Sequence, residues 1–235
     1  MSEQKGFFDS NPKFIFLFGL VAGVAITMVF SGGISLPAAN SGTGTVVRAF
    51  DADDTQDDSA LPTTLALITT DDHVKGSIED AKVVIVEYSD FECPYCSSHH
   101  PTLQKVVDTY GDDVAWVYRH FPLSFHPEAQ SSALASECAA EQGKFWEFAD
   151  AMFIGQENLG DSLYTNTAKS LGLNMNKFTD CYESEKYAEK VDGDLASGGI
   201  AGVTGTPGTF VNGQLVSGAV PFATFSGVID GLLSE

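Results

Sequence analysis

Hydrophobic and polar positions divide the chain into four stretches. Residues 1–13 are mostly polar and carry Lys5 and Lys13, and residues 14–30 are almost wholly apolar. Residues 31–64 run through Gly, Ser, Thr, Ala and Asp with few large side chains; from Leu65 onward apolar residues recur at the spacings of strands and helices. An apolar run of about 17 residues stands at the lower end of what crosses a bilayer. The first basic residue beyond it is Arg48. The positive-inside bias therefore expects a cytoplasmic N-terminus (1–13), a single-pass signal anchor (14–33) and a catalytic domain outside the cytoplasm. The small residues Ser31-Gly32-Gly33 leave open a cleaved signal peptide instead. Residues 34–64 read as a flexible acidic linker and 65–235 as the folded domain.

Within that domain, Val83, Val84, Ile85 and Val86 form the β-branched run of a buried parallel strand. A helix follows. It starts near Pro94, whose missing N–H costs nothing in a first turn, and ends at Gly111, with Pro101 bending it early. Residues 65–68 read as an edge strand or a segment lying on the core, and 114–119 as a second strand ended by Phe121-Pro122. Ala133, Leu134, Cys138 and Glu141 keep helical spacing, as do Phe145, Phe148, Ala149 and Met152. Two or three more helices are expected between 161 and 199. Asn212-Gly213 supplies the positive φ angles of a tight hairpin turn between strands at 209–211 and 215–217, and residues 221–233 close the chain as an amphipathic helix. This order predicts an α/β domain, a thioredoxin fold with an α-helical subdomain inserted at about 125–200.

Composition narrows the function. The 235 residues carry a net charge of −20, which argues against nucleic acid as a partner. The acidity reads as a soluble surface, with a saline habitat as the alternative. Four cysteines suit an oxidising compartment, one pair catalytic and the other structural.

Candidate chemistry centres on Cys93-Pro94-Tyr95-Cys96, where the first strand gives way to the helix. Unpaired N–H groups and the helix dipole favour a thiolate at Cys93, which makes it the nucleophile. Cys96, one turn in, is placed to resolve a mixed disulfide on Cys93. Zinc would need a second close pair of ligands, and Cys138 and Cys181 are isolated in sequence, so no metal is expected. The second element is Gly205-Thr206-Pro207. A proline at a strand entrance after a glycine-rich run is a candidate cis peptide, leaving the Thr206 backbone to pair with an extended substrate.

Asp90-Phe91-Glu92-Cys93-Pro94-Tyr95-Cys96, Glu137-Cys138-Ala139, Gln142-Gly143-Lys144-Phe145-Trp146 and Gly205-Thr206-Pro207 together resemble the DsbA-like thiol:disulfide oxidoreductases, particularly their membrane-anchored bacterial branch. The resemblance spans roughly residues 70–233. It implies a redox-active Cys93–Cys96 disulfide, a cis Pro207 facing it, unfolded exported proteins with cysteines as substrates, and re-oxidation by a membrane quinone-linked thiol oxidase. Thr206, Pro94 and Tyr95 are expected to touch the substrate. Glu87 interrupts the apolar strand six residues before Cys93, where this superfamily often keeps a buried acid; a carboxyl there would exchange a proton with Cys96. The family's usual histidine between the cysteines is replaced by Tyr95. His99 and His100 read as exposed helix surface or a capping contact. Cys138 and Cys181 are expected to form a structural disulfide. No cofactor is expected, and the chain is read as a monomer because the linker holds no dimerisation module. The rival readings are a disulfide reductase or isomerase and, from another class, a Cu(I)-binding module using Cys93 and Cys96.

Overall fold

The computed structural model describes residues 65–234. The expected anchor and linker, up to residue 64, lie outside the described residues. Among those described, no helix is long and apolar enough to cross a membrane. The elements are β1 (His73–Lys75), β2 (Val83–Ser89), α1 (Pro94–Tyr110), β3 (Val114–His120), α2 (Ala129–Ala140), α3 (Phe145–Ile154), α4 (Asp161–Ser170), α5 (Met175–Glu183), α6 (Ala188–Ile200), β4 (Gly208–Val211), β5 (Gln214–Ser217) and α7 (Phe222–Leu233). The sheet order is β1-β3-β2-β4-β5, with β2 and β3 parallel and the other neighbours antiparallel.

β2 and β3 are buried at every position, so both faces of the sheet are covered. Side chains alternate between faces along a strand. Val83 and Ile85 join the core with Leu103 and Val106 of α1 and Phe225 and Ile229 of α7. Val84, Val86 and Tyr88 join a second core with Ile68, Val203 and Leu195 of α6. Alternation therefore assigns Glu87 to the α1 face, with Trp116 and Tyr118 opposite in β3, paired with Ile85 and Glu87.

Helices α2 to α6 occupy the predicted helical stretch. α6 lies directly on the sheet: a Cβ at Gly198 would meet the rings of Phe121 and Tyr88 at 2.7 and 2.8 Å, so only glycine permits this approach. A Cys138–Cys181 disulfide ties α2 to α5. In the hairpin, Asn212 and Gly213 have φ of 46° and 85°, as a type I′ turn requires. The Asn212 side chain also accepts from Val84 N at 2.8 Å and donates to Lys82 O at 3.2 Å, fixing the hairpin to β2.

Of the two readings of residues 65–68, the structure has the segment lying on the core, with Ile68 buried and in an isolated bridge; the edge strand is the short β1, starting at His73. Arg119 is the reason. Its guanidinium donates to the carbonyls of Ala66 and Leu67 at 3.1 and 2.9 Å, and to both carboxylate oxygens of Asp72 at 2.7 and 3.0 Å. Those carbonyls are satisfied by a side chain, so the segment lies irregular on the core until it passes Asp72.

Candidate dithiol site

Cys93 is the N-cap of α1, in extended backbone at φ −74° and ψ 121°, and Pro94 holds the first helical turn. The loop before it is fixed by Asp90. The Asp90 carbonyl accepts from Cys93 N at 3.1 Å, and its carboxylate accepts from Glu92 N, Leu123 N and His126 Nδ1 at 2.8, 2.9 and 2.7 Å. On the other side Gln156 donates to Phe91 O at 2.7 Å and Cys93 O at 3.0 Å. The Cys93 main chain is thus clamped between Asp90 and Gln156, and Asp90 is itself held by the 123–126 loop, as a site needing fixed geometry requires.

The Thr206–Pro207 peptide is cis. It meets the dithiol directly: the Cys93 thiol donates to Thr206 O at 3.4 Å. Cys93 is 3% exposed and Cys96 fully buried, whereas Tyr95 between them is 67% exposed. Both thiols are free. They differ sharply in acidity. The nearby Cys96 thiol first, and then the Thr206 side chain and the backbone N–H groups of Cys96 and Tyr95, lower the Cys93 pKa to about 5 against the opposing effect of burial. The Thr206 carbonyl favours the protonated thiol, but one weak sulfur contact is outweighed by those donors. Burial, and then the Cys93 and Glu87 charges, push Cys96 well above its ordinary value. One sulfur is a thiolate at neutral pH, the other a thiol.

Beneath them Glu87 is fully buried, and burial raises its pKa. Trp116 Nε1 donates to Glu87 Oε2 at 3.1 Å, while Oε1 has no partner. Tyr118, also fully buried with an unpartnered hydroxyl, has its pKa pushed up by burial and then by the charges of Glu87 and Cys96. Four titratable groups therefore share one low-dielectric volume: Cys93, Cys96, Glu87 and Tyr118.

The two histidines of α1 are not on its open surface. His99 and His100 are 1% and 4% exposed. α1 is covered by α7 on one side and α3 on another, which buries faces that a lone helix would leave to solvent. His99 shares a 3.1 Å hydrogen bond with Thr209 of β4, and burial lowers its pKa to about 4, so it is neutral. His100 Nε2 donates to Asp150 Oδ1 at 2.7 Å.

Sequence reasoning missed Trp116, Tyr118, Gln156 and Asp150. Period-2 alternation in β3 was the available signal for the first two. Gln156 and Asp150 lie far along the chain from the cysteines and carry no local signal. The metal-ligand cluster found among the described residues is His73, His120 and Glu137. Its centre already holds a cation, because Lys190 Nζ lies 2.9 Å from Glu137 Oε1, the oxygen that both imidazoles also bond.

A dithiol of split acidity at a helix N-terminus, facing a cis proline across the end of a mixed sheet, defines the class of DsbA-like thiol:disulfide oxidoreductases. Residues 69–231 match the family model described as thioredoxin, and the chain belongs to that family. A thioredoxin-like oxidoreductase from Silicibacter pomeroyi DSS-3 superposes with a TM-score of 0.64 at 25% identity, covering 71% of this chain and 94% of that one. The structure of alpha-DsbA1 from Wolbachia pipientis gives a TM-score of 0.65 at 25% identity, covering 74% of this chain and 96% of that one. Among curated sequences, the Na(+)/H(+) antiporter NhaA 3 of Salinispora tropica is 40% identical over 144 residues, which is 61% of this chain and 22% of the antiporter. The chain spans about a quarter of the length of the curated relatives it matches.

Proposed function

We propose that this protein is an extracytoplasmic thiol:disulfide oxidoreductase working as an oxidase, introducing disulfides into exported proteins by exchange at Cys93 and Cys96. The observation that carries this reading is the split between the thiols: about 5 for Cys93 and far above the ordinary range for Cys96. A thiolate stabilised to that degree favours the reduced enzyme, so the Cys93–Cys96 disulfide readily passes its oxidising equivalents on.

In the proposed cycle a client thiolate attacks Cys93 Sγ, and the enzyme's S–S bond breaks. Cys96 leaves as a thiolate and takes a proton from the Glu87 carboxyl. A second client thiolate then attacks the client sulfur of the mixed disulfide, a client disulfide forms, and Cys93 leaves as its stable thiolate. The client loses two electrons and the enzyme gains them. The client chain lies extended against Thr206, with Pro94 and Tyr95 as neighbouring contacts. A membrane quinone-linked thiol oxidase restores the disulfide. Residues 14–33 tether the domain, as a monomer, outside the cytoplasmic membrane.

The reading is tested with the oxidised full chain and a reduced, unfolded protein that regains activity only when its disulfides form. Stoichiometric enzyme restores that activity within minutes, and the Cys93→Ala variant does not. If the wild-type chain leaves the client reduced, yet in the presence of dithiol cleaves disulfides of a folded substrate, it is a reductase.

A further inference from the structure

A buried carboxyl that gives a proton to Cys96 in one half of the cycle and takes it back in the other must itself exchange protons with water. Glu87 is fully buried beneath Trp116 and Tyr118. Two buried polar atoms without partners belong to residues that touch the Trp116 indole, Glu87 Oε1 and His100 Nδ1, and the Glu87 carboxyl lies close enough to His100 to feel its charge. The indole donates to Glu87 at 3.1 Å, and its ring centre is 5.2 Å from that of His100. From the other edge of the imidazole, Nε2 reaches Asp150 Oδ1 at 2.7 Å, and Gln104 Nε2 donates to that same oxygen at 2.6 Å. The Asp150 side chain is 39% exposed. It lines a cleft of about 360 Å³ with Ser97, His100, Gln104, Phe153 and Ile154.

We propose that His100 and Asp150 form the solvent end of a proton path serving Glu87 and Cys96, with this cleft as its mouth. The proposal rests on the thiol-exchange reading above. Imidazole suits the position because it takes a proton on one nitrogen and releases one from the other. During re-oxidation the Cys96 thiol gives its proton to the Glu87 carboxylate, Glu87 passes it to His100 Nδ1, and His100 releases the Nε2 proton beside Asp150 to water. During client oxidation each transfer runs in reverse. No electron moves along the path. The other charged or titratable groups facing it are Tyr118 of β3 beside Glu87, Lys75 of β1, whose ammonium is 5.7 Å from the Trp116 ring and acts on Asp150, Glu147 of α3, whose charge also acts on Asp150, and His99 on α1 itself. Burial opposes ionisation of Asp150, but its contacts with His100 hold the carboxyl below the usual range, so it stays charged and keeps accepting the His100 Nε2–H hydrogen bond while the proton passes to water.

His100→Ala opens space continuous with the cleft and allows chemical rescue. The measured quantity is the rate at which the oxidised full chain oxidises a reduced two-cysteine peptide at neutral pH. The variant is expected to be about tenfold slower, below the 10²–10⁴ of a group acting on the reacting atom. Added imidazole restores most of the rate, and pyrazole, of the same shape but far too weak a base, does not. A wild-type rate in His100→Ala, or equal rescue by both heterocycles, overturns the proposal, since the latter means the ring merely fills space. If His100→Ala does not fold, Asp150→Asn, at a half-exposed position, carries the test: several-fold slower exchange supports the path and an unchanged rate overturns it. A wild-type chain that never exchanges thiols would instead overturn the function reading, and the path with it.

Discussion

Chains carrying Cys96→Ala accumulate mixed disulfides on Cys93. The expectation follows from the geometry of the pair. Cys96→Ala removes the largest of the contacts that lower the Cys93 pKa, but the helix N-terminus and the N–H groups of the first turn remain, so Cys93 still forms the thiolate that attacks disulfides. Its partner Cys96 lies fully buried beneath it, on the protein side of any adduct. With that sulfur gone, release depends on a second thiol of the client. Protein adducts should therefore persist on a non-reducing gel and disappear with dithiothreitol. Catalytic turnover is abolished, a loss beyond the 10²–10⁴ that a proton donor contributes. Cys93→Ala abolishes turnover equally and leaves no adducts. Adducts that survive in Cys93→Ala, or none in Cys96→Ala, would place the reacting sulfur elsewhere.

Removing the second cysteine pair affects stability and leaves the chemistry intact. Cys138 and Cys181 are 43 residues apart in sequence, and their disulfide joins two helices whose ends are also linked by hydrogen bonds between Gln142 and Asn174. Opening a loop of that length restores chain entropy to the unfolded state worth about 3–4 kcal/mol. The double variant Cys138→Ala/Cys181→Ala should lose about that much in urea unfolding, with an unchanged rate of client oxidation below its transition. A loss under about 1 kcal/mol would mean that the unfolded chain keeps these helices together without the bond. A slowed exchange rate would mean that the insert, whose 3₁₀ turn carries Gln156, transmits its disorder to the Cys93 main chain.

What the sequence made legible was local. The β-branched run, Pro94, Gly111 and the Asn212-Gly213 turn each act within a few residues, and the structure has β2, α1 and the hairpin where those signals put them. The position of Glu87 followed from one interruption in an apolar run. The side on which it lies needed only the alternation of a strand, and the same alternation in β3 identifies Trp116 and Tyr118 as its neighbours. What stayed hidden depends on contacts between distant segments. Arg119 holds the carbonyls of Ala66 and Leu67 across some 50 residues and so delays the first strand. α3 and α7 bury His99 and His100, which a helix considered alone presents to solvent. Gln156 comes to Cys93 through the fold of the insert, and glutamine in a short turn has no pattern of its own.

On the oxidase reading, the Cys93–Cys96 disulfide is unstable because one thiol ionises far more easily than the other. The most direct measurement is the reduction potential of the full chain against glutathione buffers, followed from pH 4 to pH 9 by the mass of the alkylated cysteine peptide. The expected potential is about −120 to −180 mV at pH 7. The slope is fixed as well. Reduction adds two electrons and, above the Cys93 pKa of about 5, only the one proton that Cys96 keeps. Raising the pH therefore lowers the potential by about 30 mV per unit between pH 5 and 9, steepening to about 59 mV below pH 5 where Cys93 also takes a proton. A potential near −270 mV at pH 7, falling by about 59 mV per unit throughout, would contradict that reading: both thiols would then be protonated in the reduced protein, which would give electrons to its clients.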